Sequence, residues 1–152
     1  MEHIAIMKKS WGLLEKILSG EKLIESRWRV RRTSPWNRVR KGERVYIKNT
    51  GEPVTVRARV KKVIQYSDLT PERVLQILQE YGQKDGLGIE DLPRFHSMFK
   101  DKKYCILVFL DFPEKIEHFN IDRKGFPAAE GWLTFENINK IKIQEKPYQL
   151  FN

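Results

Sequence analysis

The order of apolar and polar positions divides the chain into short segments of two different periods. His3–Met7 reads as a first strand. From Trp11 the apolar residues recur at Leu14, Ile17 and Leu18, one face of a 3.6-residue period, with Ser10 placed to cap the helix and Gly20 to end it. Leu23–Val30 then alternates, with Ile24, Ser26, Trp28 and Val30 on one side and Leu23, Glu25, Arg27 and Arg29 on the other. Arg31–Arg40 breaks the pattern and reads as a loop. Arg44–Lys48 and Pro53–Ile64 read as strands of a hairpin turning through Asn49-Thr50-Gly51-Glu52, and the alternation slips at Lys61-Lys62 as at a bulge. Leu69–Gly82 is the clearest helix: Thr70 caps, Pro71 fills the first turn, and Val74, Ile77, Leu78 and Tyr81 form one stripe. Ile89–Phe99 reads as a shorter helical segment. Tyr104–Phe112, Ile116–Asp122 and Ile138–Gln144 read as three more strands. The resulting order predicts an α+β fold, a mixed and curled sheet or small β-barrel with helices packed at its ends.

Composition narrows the class. At 152 residues with 40% hydrophobic and 11% aromatic content, the expectation is one domain over residues 1–152 with a packed core. The longest apolar runs are far below the ~20 residues that cross a bilayer, so no membrane partner is expected. Met1–Lys9 has no cationic stretch leading into a long apolar one, which predicts no secretory leader and a cytoplasmic location. The single cysteine, Cys105, excludes an internal disulfide and a cysteine-based zinc site. His3, His96 and His118 show no metal-ligand spacing and read as surface or edge residues; no metal and no cofactor is expected.

Charge changes the picture more than composition does. The net charge of +9 is unevenly placed: residues 1–63 hold 17 Lys/Arg against 6 Asp/Glu, while residues 64–152 hold 12 against 14. Between Lys22 and Lys48, ten basic residues face only Glu25 and Glu43. Such a local field attracts polyanions, and arginine matches phosphate bidentately, so RNA or a nucleotide-like ligand is the expected partner. Nothing in the pattern specifies an oligomeric state.

The dense basic stretch opens on Gly20-Glu21-Lys22-Leu23-Ile24-Glu25-Ser26-Arg27. With the preceding Met7-Lys8-Lys9-Ser10-Trp11 and the later Lys41-Gly42-Glu43-Arg44, this segment resembles the ASCH family of the PUA-like superfamily. Gly20, Lys22, Glu25 and Arg27 fill the four fixed positions of its G-x-K-x-x-E-x-R signature. The resemblance covers residues 3–64 most closely. It implies a PUA-like barrel with a cleft at this signature.

Lys22 falls in the turn, and Glu25 and Arg27 project to the same side of a strand. A carboxylate there accepts from the amino or imino groups of a base, and the cations donate to its carbonyls or to phosphate. The same charges can also satisfy one another as a salt bridge. Around them the candidate ligand-binding residues are Lys8, Lys9 and Ser10 from the first loop, then Arg29, Arg31, Arg32, Arg38 and Arg40, with Tyr46 and Lys48 on the following strand. Trp11 and Trp28 lie on apolar stripes and read as core. Trp36, amid the arginines, either stacks on an unpaired base or staples its loop to the body. Phe126–Trp132 reads as a glycine-bounded loop whose backbone can approach a ligand.

There is no P-loop, no G-x-G-x-x-G and no H-E-x-x-H. The resemblance also implies a hydrolase alternative, acting on modified nucleosides as an amidohydrolase or on RNA as a ribonuclease. Lys22 and Glu25 would then be the catalytic candidates. In the amidohydrolases a Thr nucleophile stands where this chain has Glu25, and a further Glu is needed, for which Glu72 is one candidate. Binding and hydrolysis both stay open on the sequence.

Overall fold

The computed structural model describes residues 1–144. The strands β1 (Glu2–Met7), β2 (Ile24–Arg29), β3 (Arg44–Asn49), β4 (Val54–Tyr66), β5 (Tyr104–Phe119) and β6 (Trp132–Phe135) form one sheet in the order β2-β5-β4-β3-β1-β6. β1 and β3 pair in parallel and every other pair is antiparallel, so the sheet is mixed. It curls into a half-barrel carrying α1 (Leu13–Ser19), α2 (Pro71–Tyr81) and α3 (Leu92–Phe99).

Three apolar clusters follow from the strand alternation. The inner one joins Met7, Val45, Val56 and Val108 to Leu13, Leu14 and Ile17 of α1, which plugs the curl. The second lies on the other face of β2 and β5: Ile24, Trp28, Cys105 and Leu107 pack under Val74, Ile77 and Leu78 of α2 and Phe95 of α3. An isolated 11-residue helix is marginal in water, and burying three such side chains at roughly 2 kcal/mol each is what holds α2 in place. The third cluster, with Tyr46, Phe119, Leu133 and Ile138, sits at the far edge of the sheet.

Several expected elements take a different form. The first helix does not start at Trp11. A 3-10 turn over Lys9–Trp11 ends at Gly12 in the left-handed region (φ 63°), and the α-helix begins at Leu13. The strands expected over Tyr104–Phe112 and Ile116–Asp122 are one long strand, β5. Its register against β4 breaks between Arg59↔Asp111 and Arg57↔Glu114, where Pro113 has no N–H for the ladder. The strand expected over Ile138–Gln144 is a 3-10 turn, Ile138–Lys140, with Asn137 Oδ1 accepting from the Asn139 N–H. An Asx side chain that bonds its own backbone competes with a sheet ladder, and Ile138 and Ile141 are buried at a spacing of three. The sixth strand starts instead at Trp132, inside the segment expected to be loop. The slip at Lys61-Lys62 is a register shift between Val60 and Lys62.

His3 is neither surface nor edge. It is fully buried, with Nδ1 3.1 Å from the Trp132 indole nitrogen and 3.0 Å from Thr134 Oγ1, and Nε2 2.9 Å from Glu43 Oε1. An indole N–H only donates, so Nδ1 accepts, and the proton sits on Nε2 and is donated to Glu43. Burial holds the imidazole below its ordinary range, although Glu43 pulls it upward.

Candidate functional site

The signature segment is positioned by two turns. Gly20 ends α1 in the left-handed region (φ 85°) and reverses the chain into β2. The turn after α2 then clasps the start of β2, the Leu23 and Ile24 N–H groups both donating to the Lys84 carbonyl. Gly86 (φ 83°) lies so close that a Cβ there would stand 3.2 Å from Lys22 Cβ. This packing leaves Lys22 2% exposed. Its ammonium donates to Asp85 Oδ1 at 2.5 Å and to the Asp85 carbonyl at 2.6 Å, with Glu25 Oε2 at 3.6 Å. Asp85 also accepts from the Ser26 hydroxyl at 2.5 Å, and Ser26 Oγ accepts from the Trp28 indole. Burial pushes the Asp85 carboxyl up from the ordinary carboxylate range, with Lys22 pulling the other way.

Glu25 and Arg27 project to the inner side of β2, as their alternation predicts. Arg27 Nε stands 3.3 Å from Glu25 Oε1 without hydrogen-bond geometry. The guanidinium is spent elsewhere: it donates to the Gly131 carbonyl at 3.0 Å and the Ile6 carbonyl at 3.1 Å, and lies over the Trp132 ring. Arg27 therefore bridges from one edge strand of the curled sheet, β2, to the chain entering the other, β6. Glu25 Oε2 is left buried with no hydrogen-bond partner.

Above this pair opens a cleft of about 670 Å³. Glu25, Ser26, Arg27 and Arg29 line it from β2, Lys8 and Trp11 from the loop after β1, and Phe99 from the end of α3. Thr33, Ser34 and Thr50 add hydroxyls, and Arg123 with the 127–131 loop closes the far wall. Arg123 organises that loop by donating to the Pro127, Ala128 and Glu130 carbonyls. Trp28 stacks on Phe99 with ring centroids 4.9 Å apart and shows the cleft only part of its ring, while the Lys8 ammonium sits over the half-buried Trp11. Burial and the neighbouring Arg27 lower the Arg29 guanidinium from its ordinary range.

Four of the candidate residues thus share the cleft: Lys8, Glu25, Arg27 and Arg29. Lys22 lies beneath it, closed off by Asp85. Lys9 and Ser10 are exposed outside the lining, Lys9 paired with Glu52. Arg31, Arg32, Arg38 and Arg40 are exposed on the loop that carries Thr33 and Ser34 but do not line the cleft. Trp36 is half-buried, edge-on to Tyr104 at 5.0 Å, and packs against the inner cluster. Tyr46 is buried against Phe119 in the third cluster, and Lys48 lies half-buried on the same strand, outside the lining. The acid beside Lys22 is Asp85; Glu72 is exposed in the first turn of α2. Asp85, Arg123 and Thr50 were not legible as site residues, because each arrives on a turn whose place only the fold sets. Among the described residues, no three His, Cys, Asp or Glu side chains gather as a metal site.

A curled mixed sheet plugged by one helix, with a cleft over β2, makes an α+β half-barrel. The fold is that of an ASCH domain. The solved ASCH structure from Zymomonas mobilis matches 94% of this chain and 96% of its own at a TM-score of 0.63 and 17% identity. A single-substitution variant of that protein matches at 0.64, with 91% and 93% covered and the same identity. A hypothetical protein of known structure covers 74% of this chain and 97% of its own at 0.51 and 16% identity. No family model matches the chain, and no curated protein matches it in sequence.

Proposed function

We propose that the protein binds RNA, or a nucleotide-like piece of it, in the cleft over Glu25 and Arg27. The observation that carries this reading is the Glu25 carboxylate. Glu25 lines the cleft, and its carboxylate keeps acceptor capacity that no protein donor fills, the buried Oε2 standing 3.6 Å from the Lys22 ammonium without a hydrogen-bond partner. A base edge carrying amino or imino hydrogens fits that need, and the flanking apolar rings suit the faces of a base. The exposed Arg31 and Arg32, next to Thr33 of the cleft wall, supply contacts to the phosphates. Titrating labelled single-stranded RNA into the protein at ~50 mM salt tests the reading, with affinity falling steeply as salt rises. Glu25→Gln weakens binding about tenfold, and Arg31→Ala/Arg32→Ala reduces the salt slope by about 1.4. RNA binding that is absent, or indifferent to Glu25→Gln, overturns it.

One observation favours hydrolysis as a second reading. The Ser26 hydroxyl and the Lys22 ammonium meet on the same Asp85 carboxylate, and Ser26 reaches the cleft. A hydroxyl on a carboxylate whose burial raises its basicity is a candidate nucleophile for an acylated nucleoside. Incubation with acylated cytidines distinguishes this reading: product formed by the native protein and abolished by Ser26→Ala supports it, and no product rejects it.

A further inference from the structure

Away from the cleft, the β3–β4–β5 ladder carries two locally unfavourable features side by side. The first is Phe112. It occupies the left-handed region (φ 52°) at the register break of β5, a conformation that costs a phenylalanine and that asparagine or glycine adopts readily. Its ring gains nothing from burial there, being 77% exposed. The second is a pair of like charges: Arg44 on β3 and Arg59 on β4 stand directly opposite in the antiparallel register, an arrangement that destabilises a sheet. Strain and repulsion held in one place are a mark of a functional surface.

Phe112, Arg44 and Arg59 line the same depression, about 330 Å³, together with Arg57, Ala58 and Glu114. It shares no lining residue with the Glu25 cleft. Glu114 neutralises Arg57 through a direct ion pair. Arg44 is 3.9 Å from Glu2, and Arg59 gives one N–H to the Gly42 carbonyl, so both guanidiniums keep donors for a ligand. The turn that Arg59 touches carries the exposed Arg40 and Lys41.

We propose that this depression is a second contact for single-stranded RNA, with an unpaired base stacked on Phe112 and the flanking phosphates held by Arg44 and Arg59. An exposed ring beside guanidiniums that keep spare donors is the pairing that sequence-tolerant single-strand binding uses. The proposal rests on the RNA-binding reading above, and its test separates the two. Fluorescence anisotropy of the full chain with a labelled single-stranded RNA of about 12 nucleotides compares the native protein with Phe112→Asn, Phe112→Tyr, Arg44→Ala/Arg59→Ala and Glu25→Gln. Phe112→Asn weakens binding roughly tenfold while thermal unfolding stays level or shifts upward, because asparagine tolerates the left-handed backbone. Phe112→Tyr retains affinity. Arg44→Ala/Arg59→Ala lowers the salt slope by about 1.4. Native affinity in Phe112→Asn and in the arginine double variant, with Glu25→Gln still weakened, overturns this second contact and leaves the cleft reading standing. Loss in Phe112→Asn with none in Glu25→Gln does the reverse.

Discussion

Burial of a charged side chain is the most consequential event at the scale of single residues. Lys22 is almost wholly inside, and what makes that tolerable is Asp85, which supplies a carboxylate oxygen and a backbone carbonyl at once. Removing one member of such a pair leaves the other buried and uncompensated. Lys22→Ala is therefore expected to cost about 3–5 kcal/mol in urea unfolding, and the double variant Lys22→Met/Asp85→Leu to recover most of it. Additive losses in the double variant would show that the two groups do not depend on each other. Gly131 makes a second case. A Cβ there would stand 2.8 Å from Arg27 Nη1, so Gly131→Ala displaces the guanidinium from the carbonyls it bridges. Crystallography of that variant should find Arg27 rotated toward Glu25 or into the cleft.

Elements whose periodicity and caps agree were readable from the chain. α2 begins where Thr70 accepts from the Arg73 N–H and follows with Pro71, and its buried stripe is the one the spacing predicts. Thr70→Ala is expected to lower stability by about 1 kcal/mol, read as a shift of the denaturation midpoint at unchanged slope. β2 was legible for the same reason: strict alternation assigns Glu25 and Arg27 to one face and Ile24 and Trp28 to the other. Elements that depend on a competing local bond were not legible. Asn137 turns an apolar run that looks like a strand into a 3-10 turn, and Phe112-Pro113 bends one strand so that it reads as two. β6 has only four residues, too few for a period to declare itself.

Across the whole molecule, residues far apart in the chain meet in buried polar networks. His3 of β1 touches Trp132 and Thr134 of β6 and Glu43 just before β3. Because burial depresses the folded-state affinity of His3 for a proton, the unfolded chain binds more protons just below the ordinary value of 6.5. Stability is thus full above 6.5 and declines as pH falls through that value, with a further loss below 4.5, where Glu43 is also held low in the fold. Chemical denaturation as a function of pH should show the first decline in the native protein, and His3→Gln should flatten it.

The sequence by itself determined the periods, the caps, the one-sided basic charge and the G-x-K-x-x-E-x-R signature, because each is written in neighbouring residues and needs only local geometry to read. Only the tertiary structure decided what the signature residues do. It buries Lys22 on Asp85, commits Arg27 to the carbonyls of Gly131 and Ile6, and sets Glu25 in the cleft wall with a buried Oε2 that has no hydrogen-bond partner. It also turns most of the basic loop away from the cleft lining. The physical reason is the same throughout: a charge takes its role from its partners and its solvent exposure. Both are set by turns around residues 85 and 131 that lie 60 or more positions away in the chain.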